Sequence, residues 1–342
     1  MSQSIARRSM THDPALACHI VRSTPLVYAD DPDDTVDDRP AHVRAASGLV
    51  YLIDRMALVQ DDANFLGLVD PSSHAVTSVP LPPAPDGRRA HDYDKGTGHN
   101  KLDLEACVAV PGTDNRLLIA FGSGSNEKRE WVVLVDWRTD GDRPQTYLHH
   151  APAFYATLRE AEHFAGAGLN IEGAVFVDDD TLRLYQRGNA DPTDEFPAID
   201  ATADVSWKAL RAHIQDPEDA APPTPSRVIH YDIGELHGVR LTFSDAEWLG
   251  DGRALFSASA ERGTTGEVTG SVLGIIDGSD DEQARWAELI DEDGTAFEGK
   301  IEGITVLPDQ PHRIAFVIDA DDATEPSRIY EAELSGDWFP AG

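Results

Sequence analysis

Apolar runs rich in Val, Ile, Leu, Tyr and Phe, bounded by Gly, Pro, Asp and Asn, recur along the whole chain and predict strands. A larger repeat overlies them. LDLEACVAV from Leu102, LNIEGAVFV from Leu169, FSDAEWLGDG from Phe243 and GKIEGITVL from Gly299 each set a carboxylate at the mouth of a hydrophobic strand. AASGLVYL from Ala45 is a degenerate copy with Ser47 in that place. A second apolar strand follows each copy and ends in small or polar residues: LVQDDAN, AFGSGSN, LYQRGNAD, FSASAER and FVIDADD. Self-similarity at spacings of 55 to 75 residues predicts an all-β propeller of four-stranded antiparallel blades rather than a sandwich.

The predicted blades span 45–82, 101–150, 169–243, 244–291 and 299–334, five in a single domain over 1–342. Six is the alternative if the segment 190–226 hides degenerate strands. That segment reads as an inserted loop with a helix around Val205 to Ile214 and a proline-rich exit; PAFYATLREAEHF from Pro152 is a second helical decoration. The fifth unit lacks a fourth strand. The run over 15–28 is predicted to supply it, which closes the ring and removes an exposed edge.

In a propeller the start of each first strand and the end of each second strand meet at one mouth of the central channel. Ser47, Glu105, Glu172, Asp245 with Glu247, and Glu302 are thereby predicted around one opening. Asp61, Asp62, Ser123, Ser125, Arg187, Asn189, Glu261, Asp319, Asp321 and Asp322 fall on its rim, and the loop HDYDKGTGHN from His91 leaves from the same face.

Charge sharpens this picture. Asp and Glu number 61 against 28 Lys and Arg, a net charge of −33, which argues against a nucleic acid or an anionic membrane as partner. A salt-adapted or GC-rich source and a Ca²⁺-binding protein both fit such a composition. At the mouth, carboxylates repel one another unless neutralised. One answer is a divalent cation on Glu105, Glu172, Asp245 and Glu302, and oxygen-only ligands suit Ca²⁺ or Mg²⁺. Ion pairs with Lys101, Lys300, Arg129 and Arg187 are another. A mixed ring also suits a small phosphorylated or carboxylated ligand held by Lys101, Ser123, Ser125, Arg129, Arg187, Asn189 and Lys300. The plainer reading has these acids bonding backbone amides at the blade entrances.

Other features add little chemistry. Cys18 and Cys107 form no CxxC pair and predict neither a disulfide framework nor a zinc site. Arg7 and Arg8 are not followed by a continuous apolar stretch, and no run of 18 apolar residues occurs, so a cytoplasmic protein is expected. His149 and His150 read as a solvated strand end, Gly122 and Gly124 as a tight turn at the rim, and the acidic run from Asp30 as a solvated loop. No base is nominated for Ser123 or Ser125 as a nucleophile.

The spaced set SGL…DD…N, K-x-D-x-E-A…FGSGS…R, N-x-EG…RGN, SDA…E and K-x-EG-I resembles a bacterial family of uncharacterised β-propeller proteins, and is more distantly similar to phytase-like (esterase-like) propellers. The match runs from Ala45 to Leu334 and falls on Ser47, Lys101, Asp103, Glu105, Ser123, Ser125, Arg129, Asn170, Glu172, Arg187, Asn189, Asp245, Glu261, Lys300 and Glu302. The resemblance implies a propeller with polar residues at one mouth and no particular activity. The dense Asp clusters of propeller phytases have no clear counterpart here. Propeller lactonases are similar in using one Glu, two Asn and one Asp for a metal, a set that Glu172, Asn170, Asn189 and Asp245 match in type. The expected function is binding of a divalent cation, a small anionic ligand, or both. The alternative is a metal-dependent hydrolase of a phosphoester, ester or lactone, with Glu105, Glu172 and Glu302 on the ion and Arg187, Arg129 and Lys101 orienting the substrate.

Overall fold

The computed structural model describes residues 5–31, 38–138, 143–193, 196–262, 266–277, 284–308, 310, 312–320 and 322–338. Asp321 and positions 32–37 of the acidic run lie outside the described residues. Two strands come first, β1 (Ala6–His12) and β2 (Ala17–Pro25). An antiparallel sheet follows: β3 (Ala46–Leu52), β4 (Arg55–Gln60), β5 (Phe65–Val69) and β6 (Val76–Pro80). The next holds β7 (Leu104–Ala109), β8 (Leu117–Gly122), β9 (Trp131–Asp136) and β10 (Gln145–His150). Then β11 (Ile171–Phe176), β12 (Thr181–Gln186), β13 (Asp200–Ser206) and β14 (Ser226–Asp232) pair in order. After the short β15 (Glu235–Leu236) come β16 (Val239–Gly250), β17 (Arg253–Arg262), β18 (Glu267–Ile276) and β19 (Ala284–Ile290). The last group is β20 (Ile301–Val306), β21 (Arg313–Ile318) and β22 (Arg328–Ser335).

The fourth place beside β22 is taken by β2, antiparallel from Ala17 opposite Ser335 to Pro25 opposite Arg328. The expected closing strand thus pairs as the edge rule requires. The preceding strand β1 was not anticipated. It runs parallel to β14 over Ala6–Ser9 and then to β19 over Met10–His12, tying two sheets together, and β2 joins β19 to the last one.

The inner strands β3, β7, β11, β16 and β20 pack side by side, and β20 returns against β3. The result is an all-β, propeller-like fold in which sheets surround a near-closed barrel. An apolar cluster lies between each sheet and the next: Leu104, Leu118 and Val133 meet Val59 and Leu66, for example, and Phe316 and Ile304 meet Leu255 and Leu273. Phe243 stands edge-on to Tyr185, Tyr231 and Phe256 with ring centroids 5.2, 5.2 and 5.6 Å away, the favoured aromatic geometry.

Each inner strand carries one extra residue at the repeated motif. The register slips between Ala46 and Leu49, Leu104 and Ala106, Ile171 and Gly173, Phe243 and Asp245, and Ile301 and Gly303. A bulge re-aims the side chain at that point, which is how the motif carboxylates come to face the mouth. The small residue that follows faces the crowded axis: a Cβ on Gly303 would lie 2.6 Å from Leu49 N, and one on Gly48 2.7 Å from Glu105 O.

The helical stretch from Pro152 forms α1 (Pro152–Glu160) and α2 (Glu162–Ala165), as expected. The segment 190–226 is more than a loop. It contains the third strand of its sheet, β13, and α3 (Trp207–Gln215), whose N-cap Ser206 accepts the Ala209 amide. The expected boundary between the third and fourth units at 243/244 falls inside β16, so the end of the predicted third blade instead opens the inner strand of the fourth. β13 escaped the strand pattern because Asp200, Thr202 and Asp204 are buried as well as Ala201, Ala203 and Val205. Asp204 is made compatible with burial by Arg183, at 2.7 and 3.0 Å. Among the described residues no helix is long and apolar enough to cross a membrane.

Candidate metal centre at the mouth of the ring

The bulges at the starts of the inner strands and the ends of the second strands converge as the repeat predicted. Ser47, Asp61, Glu105, Glu172, Arg187, Lys300, Glu302 and Asp319 line one cavity of about 70 Å³.

One side of this cavity is saturated by ion pairs. Arg187 Nη1 lies 3.2 Å from Glu172 Oε1 and Nη2 lies 2.6 Å from Glu261 Oε2, while Nε donates to Thr242 Oγ1 at 3.1 Å. Asn170 Nδ2 donates to Glu172 Oε1 at 2.6 Å and to Asn189 Oδ1 at 3.2 Å. Lys300 Nζ sits 2.6 Å from Glu302 Oε1. Burial raises the Glu172 pKa to about 7 against the pull of Arg187. For Lys300, burial opposes the charge, but Glu302 and its neighbours outweigh it and hold the ammonium above the ordinary lysine range.

The other side holds a tighter cluster of acids. One carboxylate oxygen each from Asp61, Asp103 and Glu105 lie within 4.8 Å of one another. Lys101 Nζ reaches Asp61 Oδ2 at 2.5 Å and Asp103 Oδ1 at 2.9 Å, and Arg129 Nη1 reaches Asp103 Oδ2 at 2.9 Å. Asp103 also accepts a short hydrogen bond from Ser123 Oγ, which contacts Ser125 Oγ at 2.9 Å; Ser125 in turn accepts from Arg129 at 2.8 Å. Asp103 adopts a left-handed φ of 58°, a conformation Asp tolerates, just before the bulge. Glu105 accepts a hydrogen bond from Ser47 Oγ at 2.6 Å. Burial and then the neighbouring carboxylates push Asp61 and Glu105 well above the usual carboxylate range. Burial works the same way on Asp103, but Lys101, Asp61 and Arg129 outweigh it and keep its pKa low. Negative charge is thus easiest to hold on Asp103 and costliest on Asp61 and Glu105, a cost that a bound cation would lower. Asp61 Oδ1 is shut off from solvent and has no hydrogen-bond partner.

Asp245 stands apart from the other acids. In the bulge register the counterpart of Glu105, Glu172 and Glu302 is Ser244, which bonds Ser259 at 2.9 Å. Asp245 is the next residue, in the axial layer that Gly48, Gly173 and Gly303 leave open, and its Oδ2 accepts the Ile304 amide at 2.8 Å. Glu247 likewise accepts the Val306 amide at 2.8 Å. These two follow the plainer reading, acids bonding backbone amides. Asn189 reaches the site only through Asn170.

His149 and His150 lie on β10, with the His150 ring tilted 32° to that of Trp131 and the centroids 4.5 Å apart. Gly122 and Gly124 do mark tight backbone: a Cβ on Gly122 would meet Arg129 O, and Gly124 has φ 69°. Sequence reasoning passed over Thr242, which steadies Arg187, and Arg44, whose Nη2 lies 2.6 Å from Asp62 Oδ2. Neither residue belongs to a repeated motif, so no sequence signal marked them.

The family model described as "Family of unknown function (DUF6929)" matches residues 42–334. No curated protein matches the sequence. Among solved structures, the chain is similar to the PQQ-bound aldose sugar dehydrogenase of Streptomyces coelicolor, with a TM-score of 0.47 and 12% identity over 94% of this chain and 99% of that one. It is also similar to regucalcin, a calcium-binding protein of Agrobacterium tumefaciens, with a TM-score of 0.41 and 11% identity over 98% of each chain. At such identities a similar path of the chain carries no shared chemistry.

Proposed function

Because the chain belongs to this family of unknown function, we propose that it is a cytoplasmic five-bladed β-propeller that binds one divalent cation, Ca²⁺ or Mg²⁺, at the channel mouth without catalysing a reaction. The observation that carries this reading is the convergence of acids on one side of the mouth. Arg187 and Lys300 thread Glu172, Glu261 and Glu302 together by ion pairs, whereas Asp61, Asp103 and Glu105 each bring one carboxylate oxygen within 4.8 Å of the others, and one buried oxygen of Asp61 is unpartnered. A hard cation prefers such an all-oxygen set. The proposed ligand set is Asp61, Asp103 and Glu105, which keeps only Glu105 of the four acids Glu105, Glu172, Asp245 and Glu302 expected from the repeat.

An anionic ligand is less well served. Lys101, Arg129, Arg187 and Lys300 each contact at least one carboxylate, which an anion would have to displace. A metal-dependent hydrolase would use the same ion, but Ser47 and Ser123, the hydroxyls beside the cluster, are both engaged by carboxylates, which favours binding over catalysis.

Chelator-treated protein titrated with CaCl2 and MgCl2 tests the proposal by calorimetry and thermal melting. One-site binding and a rise in Tm are expected, since a ligand held only by the folded state stabilises it. Asp61→Asn and Glu105→Gln should each weaken both effects. Absence of heat and of any Tm shift with either ion would overturn the assignment.

A further inference from the structure

A second, larger cavity of about 320 Å³ adjoins the mouth, sharing Asp61 and Asp319 with it. Asp61, Asp62, Asp92, Asp94, Asp319 and Asp322 line it, against two cations, Arg44 and Lys101, a balance of −4. Acidity alone would mean little on a chain of this charge. The distinguishing observation is that buried polar atoms at this cavity lack partners. His91 lines the cavity with no exposed surface, and its Nδ1 meets nothing; its Nε2 has only Asp86 Oδ1, at 3.4 Å. Asp62 Oδ1 is closed to solvent and unpartnered, although Oδ2 of the same carboxylate pairs with Arg44. Arg44, itself 7% exposed, leaves Nε without an acceptor. Buried groups of this kind are normally satisfied, by protein, water or ligand.

We propose that this cavity binds a small hydroxylated primary amine, of the amino-sugar class, through its ammonium and one hydroxyl. An ammonium carries three donors, which suits Asp62 Oδ1, the neutral imidazole of His91 and the surplus of carboxylates. Burial, opposed by Asp86, lowers the His91 pKa, so the ring does not repel the cation. A ligand hydroxyl supplies the acceptor that Arg44 Nε lacks. Tyr93, 65% exposed, offers one ring wall at the cavity, with Lys101 Nζ 5.6 Å from the ring centroid. A volume at the lower end of the range for ligand pockets restricts the occupant to a small molecule. The inference does not depend on a cation at the mouth: of the three acids proposed to hold it only Asp61 also lines this cavity, and the contacts argued here fall on Asp62, His91 and Arg44.

Calorimetric titration of the chelator-treated full chain at low ionic strength tests it, with glucosamine, glucose and N-acetylglucosamine as probes. Glucosamine should bind at least about tenfold more tightly than the two neutral sugars, because charge-assisted hydrogen bonds to the ammonium are lost in both. Asp62→Asn should weaken glucosamine binding by a similar factor. Since that change also disturbs Arg44, exposed Asp94→Asn and Tyr93→Ala serve as second variants, each expected to weaken binding several-fold without lowering Tm. Equal binding of glucose and glucosamine, no heat with glucosamine, or unchanged affinity in all three variants would overturn the proposal. Metal titrations of the same preparation report on the mouth separately, so the two readings fail independently.

Discussion

Asp245 accepts the main-chain N–H of Ile304 at 2.8 Å, bonding one inner strand to its neighbour across the axis of the ring. Inner strands of a ring converge without forming a ladder with one another, so their amides need other partners. Asp245 fills the axial space that the glycines leave, and burial pushes its pKa well above the carboxylate range, with the amides of Ile304, Ala246 and Leu49 pulling the other way.

Asp245→Ala should therefore cost about 1–3 kcal/mol in urea unfolding, the penalty of stranding a buried donor. Asp245→Asn keeps a carbonyl acceptor and should cost less. Equal losses in the two variants would show that the position needs its negative charge.

Arg187 is the second test of the architecture. It is 3% exposed and joins Glu172 to Glu261. Arg187→Met should destabilise by about 3–5 kcal/mol, because it strands buried carboxylate. Adding Glu172→Gln should recover part of the loss, so the double variant will be less than additive. Full additivity in chemical denaturation would mean that the two side chains do not act as a pair.

Asp200 gives a pH signature. Its Oδ1 accepts the amides of Gly188 at 3.1 Å and Phe243 at 3.0 Å, and Arg240 Nη2 lies 2.5 Å from Oδ2. Burial outweighs these contacts and raises its pKa from 3.8 to about 6. The folded state thus binds the proton more tightly than the unfolded chain. The stability this adds is complete below pH 3.8 and is lost as pH rises to about 6. Against Asp200→Asn, the parent should lose on the order of 3 kcal/mol between those limits, read from urea unfolding across that window. A difference that stays flat with pH would refute the buried-proton account.

Much of the ring could be read from the repeat itself. Glu105, Glu172 and Glu302 were placed at one mouth by their position at the start of a strand, and that position is where the bulges fall. The same reasoning misaligned the fourth unit, because it matched carboxylate to carboxylate. The bulge after Phe243 gives Ser244 the place at the mouth and turns Asp245 to the axis, and register is a tertiary property that one sequence does not display. β13 was hidden for a related reason: Asp204 reads as surface until Arg183, on the neighbouring strand, is known to meet it. The Lys300–Glu302 pair could be suspected from their closeness in sequence, but not that Lys101 would turn to Asp61 and Asp103 rather than to Glu105.

The seam between β2 and β22 also sets an order of events. During synthesis β2 emerges long before β22, the strand it pairs with in the last sheet. Sheets made from local hairpins can form early, but the ring cannot shut until β2 and β22 find each other, and contacts so far apart in sequence form slowly. For that interval β14, β19 and β22 present bare edges, inviting the strand exchange and aggregation typical of half-built β proteins. Crowded or overexpressing cells should therefore lose this protein mainly while its ring is still open, and a chaperone that shields those edges should raise the yield more than any change to the apolar cores.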